Sequence, residues 1–415
     1  MKLYFAPSRA LAAHRLEHGG PRIYDPRERW FLTVFDFLLR ATAPLLGLRP
    51  AGPDRRHVSR VRRILALRLD RLGDLIATLP ALAELRRLAP EAEIELAVGS
   101  WNEELARGLP FVDRLRRVNA PWAAWESQAS VLAAVRALRT DPHPELAIDF
   151  QGDVRVILLM ALSGARLRAG YGETGGSYLL THQGQWNESW SLYRQNMELL
   201  KALYPDVSLP KSIPAFNFLL SEDRRRAQEL LEKRGLARAP RPLIGIHPSA
   251  GRDVKQWEVA KFAALVDRLA EVGTVVLTGA ASDRDLVDRV ASRTESSPHR
   301  LVGQGGVRTF AAVVERLDVF ITGDTGPMHV AHAVGTPNVA VFGPSDPGRF
   351  GPDPDGSLRS VVRKPVYCSP CNMIRKPPRE CTIPEAPECL ARISVEDVLE
   401  ATLRRLAKGR KTASP

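Results

Sequence analysis

Cysteine is almost missing from this chain: there are four in 415 residues, all between Cys368 and Cys389. That excludes the disulfide framework of a small secreted domain. Long apolar runs are missing too. The most apolar stretch, Trp30 to Leu48, is broken by Asp36 and Arg40, bent by Pro44 and flanked by Arg27, Arg29 and Arg49. A membrane-spanning helix needs about 20 nearly uncharged residues, so this stretch is a poor span. No secretory leader pattern opens the chain, because Arg9, His14, Arg15 and Glu17 interrupt any early apolar core. Zinc-finger spacing and aromatic–basic RNA-binding motifs are absent, so nucleic acid is not an expected partner. There is no Gly-rich phosphate loop and no Asp-x-Asp pair in a metal-binding context. No catalytic divalent ion or other catalytic cofactor is expected.

What is present is an ordinary globular composition, 44% apolar and 26% charged, with a net charge of +12. That charge predicts anionic partners: a phosphorylated glycolipid, a nucleotide diphosphate or an anionic membrane face. The length suits two domains plus an extension. Strand and helix signals alternate twice, an α/β pattern. The Pro-rich connector Tyr204 to Pro214 lies between the two series. Ser221-Glu222-Asp223 reads as the cap of a helix over Arg224 to Lys233, ended by Gly235. The expected units are an N-terminal extension over 1–58, a first domain over 59–220, a second over 221–393, and a C-terminal helix and tail over 394–415.

Three strand–turn–helix segments carry chemistry. In the first, the apolar run Ile64 to Leu67 leads through Arg68-Leu69-Asp70-Arg71-Leu72-Gly73-Asp74 into a helix with Leu75, Ile76, Leu79, Leu82 and Leu85 at helical spacing. Asp74 at that helix start is either a cap or a base facing a cleft. In the second, Leu243 to Ile246 runs into His247-Pro248-Ser249-Ala250-Gly251, with Lys255 just beyond to balance a phosphate. In the third, Leu317 to Ile321 enters Thr322-Gly323-Asp324-Thr325-Gly326-Pro327-Met328-His329, where a helix opens. Ligands of open parallel sheets bind beyond the strands' carboxyl ends, and helix N-terminal amides accept phosphate. A carboxylate at Asp324 beside the amides of Thr325 and Gly326 suits a ligand with both hydroxyls and phosphate. Asp149 and Asp153, after the strand Leu146 to Phe150, are either caps or acceptor contacts.

These segments resemble glycosyltransferase family 9, which contains the ADP-heptose:lipopolysaccharide heptosyltransferases. The resemblance rests on Arg68-x-Asp70-x-x-Gly73-Asp74 followed by Pro80, then on His247-Pro248 with Lys255-x-Trp257. It is completed by Gly323 to His329 with Ala331, then Gly335-Thr336-Pro337 and Phe342-Gly343-Pro344. The match runs in order from about Arg62 to Val398 and leaves residues 1–58 outside.

The resemblance implies the GT-B architecture, with two Rossmann-like domains facing across a cleft. It implies inverting, metal-independent transfer of a sugar, heptose first, from a nucleotide diphosphate sugar such as ADP-heptose to a lipopolysaccharide-core or related glycan. Asp74 and Lys255 would be catalytic. His247, Ser249, Lys255, Asp324, Thr325, Gly326, Met328 and His329 would bind the donor. Arg68, Arg71, Gly73 and Asp153 would line the acceptor side. A non-catalytic nucleotide or glycan binder, or a transferase acting on a protein, remains open on the same scaffold.

Two further features need their own reading. Cys368-x2-Cys371-x9-Cys381-x7-Cys389 opens with metal-ligand spacing, so four thiolates holding a structural zinc stand against free thiols or disulfides. The apolar stretch of the extension reads as a helix in the membrane interface or as one that packs on this protein or on a second subunit. A cytoplasmic location, peripheral at the inner membrane, is the matching expectation.

Overall fold

The computed structural model describes residues 26–42, 58–122, 129–139, 141–213, 216–352, 358–372, 381 and 387–412. Two parallel sheets organise them. The first holds β1 (Arg63–Arg68), β2 (Glu93–Val98), β3 (Arg114–Arg117), β4 (Leu146–Asp149), β5 (Leu167–Gly170) and β6 (His182–Gln183), in the order β3-β2-β1-β4-β5-β6. The second holds β7 (Leu243–His247), β8 (Thr274–Gly279), β9 (His299–Val302), β10 (Val319–Gly323), β11 (Asn338–Val341) and β12 (Arg359–Val362), in the order β12-β11-β10-β7-β8-β9. Counted from its own first strand, each sheet has the dinucleotide-fold order 3-2-1-4-5-6. Helices cover both faces, so the central strands are buried on each side and read as unbroken apolar runs. Ile64 to Leu67 shows this: Ile64 pairs with Ile94 on one side, Leu65 with Ala147 on the other, and all four are buried.

In such an order the chain leaves the first strand for opposite edges of the sheet, which opens a crevice between strands 1 and 4. Here the crevices lie between β1 and β4 and between β7 and β10. The three signature turns follow β1, β7 and β10. Topology therefore gathers them at two crevice mouths.

The helix after β1 runs Leu72–Leu88 with Pro80 inside it and buried. The helix after the connector begins three residues earlier than its cap-like residues suggest: it spans Ser221–Lys233. Asp223 is its third residue, and its carboxylate accepts the Leu220 amide at 2.9 Å. An acidic third residue reaching back to the N-cap amide satisfies the same orphan donors as a cap. Gly235 closes the helix at φ +72°, and the Leu236 amide bonds Leu231 O at 2.8 Å.

One apolar cluster joins the inner sides of both sheets. It runs from Leu75, Ile76 and Leu79 to Ala311, Val330 and Ala331. A polar latch flanks it. Arg308, nearly buried, donates to Asp223 at 2.7 Å and to the backbone oxygens of Glu104 and Leu105 at 2.9 and 3.0 Å. The Glu104 carboxylate in turn accepts the amides of Val307 and Arg308 at 3.1 and 3.3 Å. A first-lobe side chain thus satisfies the start of a second-lobe helix, Val307–Glu315.

The extension's stretch forms a helix over Pro26–Thr42. Leu32 and Leu39 are buried in the outer layer of the first sheet, with Phe35 packed beside them. Residues 43–57 lie outside the described set. No helix among the described residues is long and apolar enough to cross a membrane.

Candidate functional site

The β1 turn is built around one buried cation. The Arg68 guanidinium lies 2.9 Å from Asp70 and 3.3 Å from Asp74, and it donates to the Phe150 carbonyl. Asp149 is also buried nearby, holding the amides of Gln151 and Gly152 at 2.9 and 3.1 Å. One guanidinium cannot neutralise three carboxylates, so the excess is held as protons. Burial, with repulsion from Asp74, drives Asp70 up to about 8 against the pull of Arg68. Burial likewise drives Asp149 up to about 7.

Asp74 differs from both. Its side chain keeps 30% of its surface exposed, and it sits third in the helix Leu72–Leu88 rather than at the cap. One oxygen faces Arg68 and the other accepts the Arg71 amide at 3.3 Å. It is a carboxylate fixed in place at the mouth of the crevice.

Asp153 serves as a cap and an ion-pair partner. It caps the helix Val154–Leu162 through the Arg155 amide at 2.9 Å and pairs with the Arg155 guanidinium at 2.5 Å. Tyr171 is a core residue whose hydroxyl donates to Gln195 O, and burial holds that hydroxyl well above its usual range. Trp122 is partly buried with Arg155 over its ring, while Trp125 lies outside the described residues.

Across the cleft, Lys255 ends a short turn, Asp253–Lys255. Its ammonium lies 2.5 Å from an Asp324 carboxylate oxygen and 3.2 Å from the Asp324 carbonyl. Asp324 is buried at the end of β10, so the pair is largely desolvated. Thr325 is the N-cap residue of the helix Gly326–Ala333, and its hydroxyl turns back to Thr322 at 3.2 Å. The helix-start amides stay free of that side chain. Ser249 donates to Asp283 at 2.7 Å, and His247 meets the Thr278 hydroxyl at 3.1 Å. Burial lowers His247 to about 4, so it is neutral at pH 7. Met328 is fully buried against Ala340 and Phe342, supporting the turn from beneath.

The two lobes meet at these turns. A Cβ on Gly73 would come within 2.7 Å of the His329 ring, and one on Gly326 within 3.3 Å of Leu72. The Arg71 guanidinium reaches the Gly251 turn, 3.4 Å from where a Cβ would stand. His329 is buried, lowered to about 4 by that burial. Its Nδ1 lies 3.1 Å from the Tyr193 hydroxyl, and the rings stack at 5.8 Å. The imidazole is neutral, burial keeps the phenol protonated, and the two share one hydrogen bond, with the Nε2 edge of the His329 ring beside Gly73. The Arg349 guanidinium stands over the Trp186 ring at 4.7 Å, a further contact between lobes.

Arg71, Leu72 and Gly73 therefore meet Gly251, Gly326 and His329 across the junction, with Asp74 and Asp324 both acting on His329, while Arg68 stays buried behind the turn. Sequence reading missed Tyr193, Asp283, Trp186 and Arg349. Only Tyr193 had a local signal: it follows Ser191, which caps the helix Leu192–Leu199 with its hydroxyl.

Cys389 is pushed up to about 12 by burial and by the neighbouring Cys371, Cys368 and Cys381. Among the described residues no group of three or more His, Cys, Asp or Glu side chains is arranged to hold a metal ion. Residues 373–380 and 382–386, which flank Cys381, lie outside the described set.

Known proteins match this arrangement. Over 297 residues the chain is 26% identical to lipopolysaccharide heptosyltransferase 3 of Escherichia coli K12, covering 66% of this chain and 80% of that protein. Over 322 residues it is 25% identical to lipopolysaccharide heptosyltransferase 1 of Pseudomonas aeruginosa, covering 74% and 86%. A glycosyl transferase family 9 structure from Veillonella parvula superposes with a TM-score of 0.71 at 22% identity, covering 86% of this chain and all of that one. The E. coli ADP-heptose lps heptosyltransferase II follows with a TM-score of 0.66 at 20% identity, covering 84% and 99%. The profile of glycosyltransferase family 9 (heptosyltransferase) matches residues 131–380. With a GT-B fold, both crevices and that match in hand, the chain belongs to glycosyltransferase family 9 and is a glycosyltransferase.

Proposed function

We propose that this enzyme moves a heptose from ADP-heptose to an anionic lipopolysaccharide-core glycan, with inversion and without a catalytic metal. One observation supports the reading. The helix start that carries the partly exposed Asp74 packs on Gly326 and His329 of the second lobe, and both Asp74 and Asp324, the partner of Lys255, lie close enough to His329 to act on its charge. Residues 59–220 serve the acceptor and residues 221–393 the donor.

In the reaction, the acceptor hydroxyl oxygen attacks the anomeric carbon and the bond to the diphosphate breaks. The hydroxyl proton goes to Asp74 and the electron pair leaves with the nucleotide diphosphate. A carboxylate is a weak base, but the hydroxyl grows acidic late in bond formation, so position matters more than basicity. The diphosphate charge falls on Lys255 and on the amides of Thr325 and Gly326, in a closed and poorly solvated cleft. Asp324 accepts donor hydroxyls while keeping Lys255 oriented. The His329 ring and the Arg71 guanidinium lie at the lobe junction, where the leaving phosphate and the acceptor's anionic groups meet.

The names of the relatives support the donor and the acceptor class, and the net charge of +12 suits both. Work at the inner membrane surface follows from a lipid-borne acceptor. A zinc ion on Cys368, Cys371, Cys381 and Cys389 would staple the C-terminal turn and take no part in transfer.

The test is a panel of nucleotide sugars with delipidated core oligosaccharide, the product's anomeric configuration being read by NMR. ADP-heptose should give the fastest transfer with inverted configuration, undiminished by EDTA. Retention, loss of activity in EDTA, or preference for another sugar nucleotide would each overturn the corresponding part.

A further inference from the structure

The helix Pro26–Thr42 has two apolar faces and uses only one. Its inner face packs Leu32, Phe35 and Leu39 on the first lobe. Its outer face carries Trp30, Phe31, Val34, Phe37 and Leu38, with Trp30 and Phe37 about 70% exposed. At 100° per residue these five fall within one arc of roughly a third of the helix. A helix apolar all round belongs in a core or against a third body. Among the described residues, two more exposed apolar side chains, Val131 and Leu132, start another helix, Val131–Leu138, that packs into the same outer layer. Scattered exposed leucines need no explanation, but an aligned row does.

Charge selects the occupant. Arg40 on this helix is exposed, as are Arg136 and Arg139 at the end of Val131–Leu138. The chain as a whole carries +12. A second copy would bring like charge to the same face, whereas anionic headgroups complement it. A helix of 17 residues, about 25 Å long at 1.5 Å per residue, has the shape that lies flat in a headgroup layer. Trp30 near one end has the ring that favours that layer.

The helix also touches the acceptor side. Asp36, at the edge between its faces, accepts the Gly176 amide at 2.6 Å, and Arg40 stands over the Tyr178 ring at 4.7 Å. That loop follows β5. Its Thr174 hydroxyl donates to Gly152 O and accepts the Val154 amide, at 2.9 and 2.8 Å, on either side of Asp153. Hydrogen bonds at two nearby points of one loop therefore tie the helix to the carboxyl edge of the first sheet.

We propose that helix Pro26–Thr42 is a membrane-docking helix, laying Trp30, Phe31, Val34, Phe37 and Leu38 into an anionic bilayer and holding the Gly172–Tyr178 loop toward an acceptor carried by that bilayer. The docking half stands on the helix alone; the acceptor half rests on the glycolipid reading above.

The experiment is flotation of the full chain with phosphatidylglycerol-rich vesicles and with pure phosphatidylcholine vesicles, at low and high salt. Wild type should float with the anionic vesicles and less so in salt. A Phe31→Ser, Phe37→Ser, Leu38→Ser triple variant changes only exposed side chains, and its partitioning should fall at least about tenfold. Its transfer to delipidated core oligosaccharide should be unchanged, while KM for the same acceptor embedded in vesicles rises. Asp36→Ala should float like wild type yet lose the vesicle advantage in KM. Docking is overturned if wild type does not float or if the triple variant floats equally. It is also overturned if light scattering finds a wild-type dimer that the triple variant dissolves. An Asp36→Ala enzyme with wild-type KM in vesicles would overturn the acceptor half alone. Failure of all proteins to use any soluble acceptor would count against the transfer reading and leave flotation to judge docking.

Discussion

Lys255→Ala removes the cation from a buried pair and leaves Asp324 with 6% of its side chain exposed and no counter-charge. Breaking such a pair from one side costs about 3–5 kcal/mol. Lys255 itself is 16% exposed, so water can enter the vacated space, and the lower end, about 3 kcal/mol, applies. For a lobe of this size that is a drop of roughly 6–12 °C in melting temperature. Asp324→Ala should cost less, because the lysine left behind can swing its ammonium toward solvent. The double variant Lys255→Ala, Asp324→Ala should then recover at least about 1 kcal/mol over Lys255→Ala alone, as coupled neighbours do. Function should not recover with it. Loss of the ammonium should weaken ADP binding by about 1.5–3 kcal/mol, the worth of a hydrogen bond to a charged group. Denaturant melts and calorimetry with ADP alone separate the two effects. Additive stability effects would refute the claim that the pair is a desolvated unit. Unchanged ADP affinity in Lys255→Ala would place the phosphate on other groups.

Asp74→Asn should keep ADP affinity and fold but lower kcat by about 10²-fold or more; wild-type turnover would remove Asp74 from the chemistry. Stability should fall as pH rises from about 6.5 to 8. In that window unfolded Asp70, with its ordinary value of 3.8, has lost its proton, while folded Asp70, raised to about 8, keeps it. Folding then takes up a proton, at up to about 1.4 kcal/mol per pH unit. Asp149, raised to about 7, adds to the lower part of the window. His247 and His329, both lowered to about 4, act in the opposite sense only below about 6.5. Thermal melts of Asp70→Asn should show a flatter slope above pH 6.5, and an unchanged slope would move the proton elsewhere. For the cysteines, elemental analysis should find no bound zinc and chelation should leave the melting temperature unchanged; about one zinc per chain, with a lower melting temperature after chelation, would make them a structural metal site instead.

The strands and turns were legible because their causes are local. Continuous apolar runs such as Ile64 to Leu67 mark strands buried on both faces, and each signature turn follows one. Topology then does what local reading cannot. The order of the second sheet seats β7 beside β10, and this alone brings Lys255 to Asp324 across 69 positions of sequence. Packing of one lobe on the other brings together Tyr193 and His329, 136 positions apart, and sets Glu104 at the start of the helix Val307–Glu315. None of these pairs leaves a period or a spacing to read. The helix cap at Ser221–Asp223 was misplaced for a different reason. Acidic residues serve both at the cap and at the third position, and only the hydrogen bond from Leu220 tells them apart. Asp153, which ends a crevice turn, caps its helix and pairs with Arg155, the capping alternative that the sequence offers beside an acceptor contact.

The closeness of the two helix starts deserves a physical reason. Leu72–Leu88 and Gly326–Ala333 point their N-terminal ends into one cleft, and glycines at 73 and 326 let them approach. Each end carries about half a positive charge, so their approach is repulsive unless negative charge lies between them. Asp74 and Asp324 supply part of it, but both are tied to cations, Arg68 and Lys255. The balance at the junction therefore remains positive, with Arg71 adding a full charge near Gly251. A positive balance at a helix start favours an anionic group beside it, which is the electrostatic reason to place the donor phosphates at this junction. The apolar cluster from Leu75 to Val330 and the Glu104–Arg308 latch hold the two lobes together beside it.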